Sequence, residues 1–137
     1  MSLISQLLPL SNVVVDLDAS SKKRVFEQAG LLFENNQGIA IPHGRIKGLK
    51  DAAGAFLRLA APVQFDAPDG RPVSMLFVLL VPEQANETHL QLLSELAQMF
   101  SDRVFREALQ NAPDATHIHQ MFMTWGADAA DQRSTAV

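Results

Sequence analysis

The chain has 137 residues, 47% of them apolar and 19% charged, which suffices for one domain with its own core and excludes disorder of the whole chain. A formal net charge of -4 leaves no electrostatic footprint for nucleic acid. There is no cysteine, so disulfides, thiolate nucleophiles and cysteine-held zinc are ruled out.

Met1 to Pro9 has neither a basic leader nor an extended apolar stretch, so it does not read as a signal peptide, and a cytoplasmic protein is expected. Residues 3–8 suit one helical turn stopped by Pro9, and the β-branched run from Asn12 to Leu17 suits a strand. Ser20 or Ser21 caps the next element. Val25, Phe26, Ala29, Leu32 and Phe33 fall on one face of a helix over residues 21–34, against whose dipole Lys22, Lys23 and Arg24 stand as a solvated basic run. Residues 34–38 are a polar turn.

Gly38 to Arg45 reads Gly-Ile-Ala-Ile-Pro-His-Gly-Arg. Ile39 to Ile41 favour a strand, and Pro42 cannot donate a ladder hydrogen bond, so the strand stops at His43. An imidazole at a strand end beside Gly44 is open to a second molecule; the plainer reading is a turn residue.

Ala52 to Leu59 is the next strand, with small residues that allow close packing, and Val63 to Phe65 is a short extended piece before the turn at residues 66–72. Val73 to Val81 is apolar except for Ser74, which predicts a strand covered on both faces at the centre of the sheet. Its longest apolar run, from Met75, is far short of the ~20 residues a membrane helix needs, so no membrane partner is expected. A helix capped by Asn86 follows, with Leu90, Leu93, Ala97 and Phe100 as its apolar face and His89 in its first turn. Two more helices are predicted, over residues 102–110 and 114–125, the second ended by Gly126. The domain thus covers residues 1–126, and residues 127–137 form a flexible tail. The expected fold is α+β: a three-layer α/β/α sandwich with a central mixed β-sheet flanked by helices.

Of the four histidines, His117 and His119 are two residues apart on one helix, which points them to different faces and away from a shared metal. His89 is different. A helix N-terminus gathers free N–H donors, so if it faces the end of the His43 strand, the two imidazoles and those donors make a phosphate pocket with a nucleophile in it and no metal or other cofactor.

The sequence resembles the IIA domains of the mannitol/fructose class of the bacterial phosphoenolpyruvate phosphotransferase system, and its nitrogen-regulatory branch most closely. The likeness rests on Gly38 to Arg45, on Phe65-Asp66-Ala67 with Val73 to Pro82, and on Thr88-His89-Leu90. Leu3-Ile4 and Ser21 to Arg24 add the regulatory character. The resemblance implies a phosphotransferase that carries a phosphoryl group on His43, taken from an HPr-like phosphocarrier protein of the nitrogen branch, and signals to regulatory target proteins. His89 and Thr88 would help hold the phosphate, with Gly44 and Arg45 beside it; Arg45 reads equally as a donor-docking surface charge. One departure stands out: family members carry a further helix and a Gly/Thr-containing approach before the signature, whereas here a segment near Asn36 and Gln37 is missing. The intact helix face and signature on either side favour an omitted loop over a deletion. Two rival functions follow, a non-catalytic regulatory binding module and a sugar-specific (fructose or mannitol) IIA component.

Overall fold

The computed structural model describes residues 4–37, 52–65, 70–82 and 87–135. Its organising element is β2 (Ala53–Val63), in which every residue from Ala53 to Leu59 is buried. β1 (Val13–Leu17) runs parallel to it and β3 (Val73–Leu80) antiparallel, giving the order β1-β2-β3. Among the described residues β2 therefore lies between the other two, whereas the uninterrupted hydrophobicity of β3 predicts that β3 is central. Both faces of β3 are covered as expected, but Val73 to Leu79 are only half-buried, because among the described residues the strand has a neighbour on one side alone. β2 also runs on to Val63, which pairs with Val73 after an irregularity, so Val63 is not a separate extended piece.

The two-residue period of the strands divides the core. Phe56, Met75, Phe77 and Leu79 point to one face, against α1 (Ile4–Leu7), α3 (Glu87–Ser101), α4 (Arg103–Asn111) and α5 (Ala115–Thr135). Ala53, Ala55, Leu57, Leu59, Leu76 and Val78 point to the other, against α2 (Lys22–Gln37). Helices thus cover both faces of a mixed sheet, as the sequence predicts.

Ser21 caps α2 by accepting from the Arg24 N–H at 3.2 Å, and Val25, Ala29 and Phe33 form its buried stripe. Phe26, predicted on that stripe, is half-exposed and touches Phe65 edge-on at 5.9 Å. In α3 the apolar face differs from the predicted one. Leu92, Leu96 and Met99 are buried, while Leu90 is 64% and Leu93 50% exposed and Ala97 faces solvent. Only Phe100 of the predicted set reaches the core. Leucines at both 92 and 93 give the helix two apolar stripes of equal period, and the sheet selects one. α5 does not stop at Gly126 but continues to Thr135; one glycine costs only about 1 kcal/mol, and the alanines at 127, 129 and 130 favour continuation.

α4 is tied at both ends. Asp102 Oδ1 accepts from the N–H groups of Val104 (2.9 Å) and Phe105 (3.2 Å). At the other end the buried Arg58 of β2 donates from Nη1 to the carbonyls of Leu109 (2.9 Å) and Ala112 (2.6 Å). These are carbonyls that a helix C-terminus leaves without partners, and a cation is well placed against its dipole. An Arg58→Met substitution is expected to cost about 3 kcal/mol, because buried acceptors lose a charged donor. Urea unfolding measures this, and a loss under about 1 kcal/mol would mean that water replaces the guanidinium.

Asp114 starts α5 in the same way. Its Oδ1 accepts from the His117 backbone N–H (2.9 Å) and from His117 Nδ1–H (2.7 Å). These donors, the backbone one foremost, hold the Asp114 carboxyl below its ordinary value of 3.8. The carboxylate therefore stabilises the fold above that pH, and the contribution is lost as pH falls through the lower folded value. Between pH 7 and pH 3 the parent should lose more thermal stability than Asp114→Ala. Equal losses would show that the cap contributes nothing.

Candidate functional site

Pairing of Ala53 with Leu80 puts the start of β2 and the end of β3 at the same end of the sheet. In chain order β2 follows the signature segment, and α3 follows β3 by way of Val81 and Pro82. The phosphate-pocket reading requires the signature segment and the start of α3 to meet at that end. His43, Gly44 and Arg45 themselves lie outside the described residues, as does Asn86.

α3 opens at Glu87, so Thr88 and His89 occupy its first turn as predicted; their side chains lie outside the described residues. Fifteen residues in one helix give that turn a full dipole, with N–H groups that no preceding carbonyl of the helix can satisfy. Such a terminus favours an anion. The exposed Glu87 carboxylate is placed where the dipole favours it.

The start of β2 is closely packed. Asn12, the last residue of a 3-10 turn (Leu10–Asn12) before β1, is fully buried, and its Nδ2–H donates to the Gly54 carbonyl at 3.0 Å. A Cβ on Gly54 would overlap Leu7 Cδ1 and stand 2.9 Å from Phe77 Cζ, which explains why a strand interior carries a glycine here. The sequence flags the small residues of β2 as allowing close packing; nothing in it singles out Asn12, which reads there as the first residue of a strand that in fact starts at Val13.

The other two histidines are drawn apart. His117 is exposed and held by Asp114, whereas the half-buried His119 donates from Nε2 to the Leu8 carbonyl at 3.0 Å, tying α5 to α1. A cavity of about 420 Å³ opens between α4 and α5, lined by Ala108, Asn111, Pro113, His117, Gln120 and Met121 among others.

The sequence model of the phosphoenolpyruvate-dependent sugar phosphotransferase system EIIA 2 family matches residues 30–124, well over half of the chain. The chain belongs to this family. Within it, several of the relatives found are nitrogen regulatory proteins, and a fructose-specific EIIA component of Haloferax volcanii is also 40% identical, over 75 residues, covering 55% of this chain and 49% of that protein. A nitrogen regulatory protein of Pseudomonas aeruginosa is 40% identical over 143 residues, covering 86% of this chain and 93% of that protein. Another, from Bradyrhizobium diazoefficiens, is 38% identical over 93 residues, covering 68% of this chain and 61% of that protein. Among solved structures, the nitrogen regulatory protein IIA-Ntr from Neisseria meningitidis superposes with a TM-score of 0.76 at 45% identity, covering 88% of this chain and 99% of that one. No helix among the described residues is long and apolar enough to cross a membrane.

The Pseudomonas alignment also measures a difference. Its 143 positions take in only 86% of 137 residues, about 118, so about 25 positions of that alignment have no counterpart in this EIIA chain. The Bradyrhizobium match, by contrast, spans 93 positions with 68% of the chain, again about 93 residues, and has no such shortfall.

Proposed function

We propose that this EIIA chain is a cytoplasmic phosphoryl carrier of a regulatory, nitrogen-related phosphotransferase branch. His43 accepts a phosphoryl group from the phosphohistidine of an HPr-like protein, and the phosphorylated and free forms bind regulatory target proteins differently. The reading is supported by the family match over residues 30–124, a range that spans His43 and the first turn of α3 with His89. The nitrogen regulatory relatives support the regulatory branch over a sugar permease.

The chemistry is a balanced exchange. A lone pair on neutral His43 attacks phosphorus as the donor's phosphorus–nitrogen bond breaks, and the donor imidazole leaves with its electron pair. His89 and the N–H groups at the start of α3 oppose the charge on the phosphoryl oxygens, with Thr88, Gly44 and Arg45 alongside. No cofactor takes part.

The shortfall of about 25 positions favours a second reading, a binding module that docks on partners without accepting phosphate. Intact mass before and after incubation with a phosphoenolpyruvate-fed donor chain separates the two. Gain of one acid-labile phosphoryl group is the expected result. No gain, together with partner binding that ignores the donor, would leave the binding module.

A further inference from the structure

We propose that the outer face of α3 is the contact surface of a weak, reversible dimer of this chain, formed with a second copy by antiparallel pairing of the two α3 helices. Leu90, Leu93 and Ala97 recur at i, i+3 and i+7, the spacing of one helical stripe, and it is the stripe that the sheet does not take. All three face solvent. Leu90 is 64% exposed, Leu93 50%, and Val104, just beyond the helix, 76%. Exposed apolar residues scattered singly need no explanation, but three of the six exposed large apolar side chains among the described residues fall between positions 90 and 104.

Charge selects a second copy as the occupant. Glu87 stands exposed at the N-terminal end of the stripe, and Arg103, its side chain 83% exposed, stands just past the C-terminal end. Arg103 opens α4, where the helix dipole disfavours a cation, and among the described residues its guanidinium uses Nε alone, for Glu107 at 3.1 Å. With opposite charges at its two ends, the seam is complementary to itself when the helices run antiparallel, and a two-fold axis across α3 generates that arrangement. Centred level with residue 95, the axis sets Glu87 against the partner's Arg103, Leu93 against the partner's Ala97, and Leu90 against the partner's Phe100 and Ser101. The small Ala97 leaves the hole that a leucine knob needs. A helix of 15 residues makes a seam only about 22 Å long. That buries less than the ~800 Å² per partner of a stable complex, so the dimer forms at high micromolar concentration and dissociates on dilution.

Sedimentation equilibrium of the full chain from about 10 µM to about 1 mM tests this. The weight-average mass is expected to rise from 15.0 kDa toward twice that value. Leu93→Glu places a carboxylate in the middle of the seam and should hold the mass at 15.0 kDa throughout, with circular dichroism unchanged because the position is exposed. Leu90→Gln takes its place should that variant misfold. Glu87→Arg and Arg103→Glu should each weaken association roughly fivefold, through like charges facing across the axis, and the double variant should recover the parental value. A parent that stays monomeric to the top of the range overturns the proposal and leaves the stripe to a different protein. Association that survives both leucine substitutions overturns it by placing the contact elsewhere. A double variant no stronger than the single ones overturns it too, because antiparallel pairing requires the recovery. None of these readings depends on phosphate, so the dimer stands or falls apart from the carrier reading.

Discussion

A His43→Ala protein is expected to gain no phosphate from a donor chain that adds one group to the parent. Alanine offers no lone pair, and the three remaining histidines are ill placed to substitute. His117 has one ring nitrogen committed to Asp114, and His119 is half-buried against Leu8. His89, on the proposed reading, faces the phosphoryl oxygens and not the line of attack. His89→Ala should therefore leave uptake intact in extent but slow it by about a hundredfold, the usual effect of removing one donor to a developing anion. Time-resolved intact mass distinguishes the two phenotypes. Uptake by His43→Ala would end the assignment of the nucleophile, and an unchanged rate in His89→Ala would remove that residue from the site. Unfolding midpoints of both variants, measured alongside, tell a lost site from a lost fold.

The largest loss of stability is expected at Phe122. It is fully buried on α5, with ring centroids 5.3 Å from Phe56, 5.6 Å from Phe77, 5.6 Å from Phe105 and 6.1 Å from Phe100. Among the described residues its ring joins the sheet, α3, α4 and α5. Phe122→Ala removes the transfer free energy of the ring and leaves a cavity that four other aromatic side chains cannot close together, at a cost of about 3–5 kcal/mol. Against a total of roughly 5–15 kcal/mol, that is enough to leave the domain marginal. The half-exposed Phe26 is the matched control, and Phe26→Ala should cost about 1 kcal/mol or less. Urea denaturation of both reads the difference. Equal small losses would mean that the core relaxes around position 122.

Much of the architecture is legible because it follows from local pattern. The β-branched run at Val13 to Val15, the apolar run of β3 and the 3.6-residue spacing of Val25, Ala29 and Phe33 each specify one element type, and their sequence implies a sheet with helices on both faces. Caps are equally local: Ser21 and Asp102 sit where their helices start. The family is legible for another reason, since the residue types around His43 and at Thr88-His89 resemble one family, and a model of that family matches residues 30–124.

What failed did so where two choices are locally equivalent. Leu92 and Leu93 let α3 turn either of two stripes inward, and the sheet alone decides that Leu92, Leu96 and Met99 are buried. The end of α5 at Gly126 was a fair local inference, overridden by the helix-forming residues beyond it.

The sequence by itself determined the element types, the family and the two histidines to test, because each depends on residue identity and near-neighbour spacing. Tertiary structure alone decided strand order, the inward face of α3 and the bonds from Arg58 to Leu109 and from Asn12 to Gly54. These join groups 51 and 42 residues apart, and no local periodicity encodes which buried carbonyl a distant donor must satisfy.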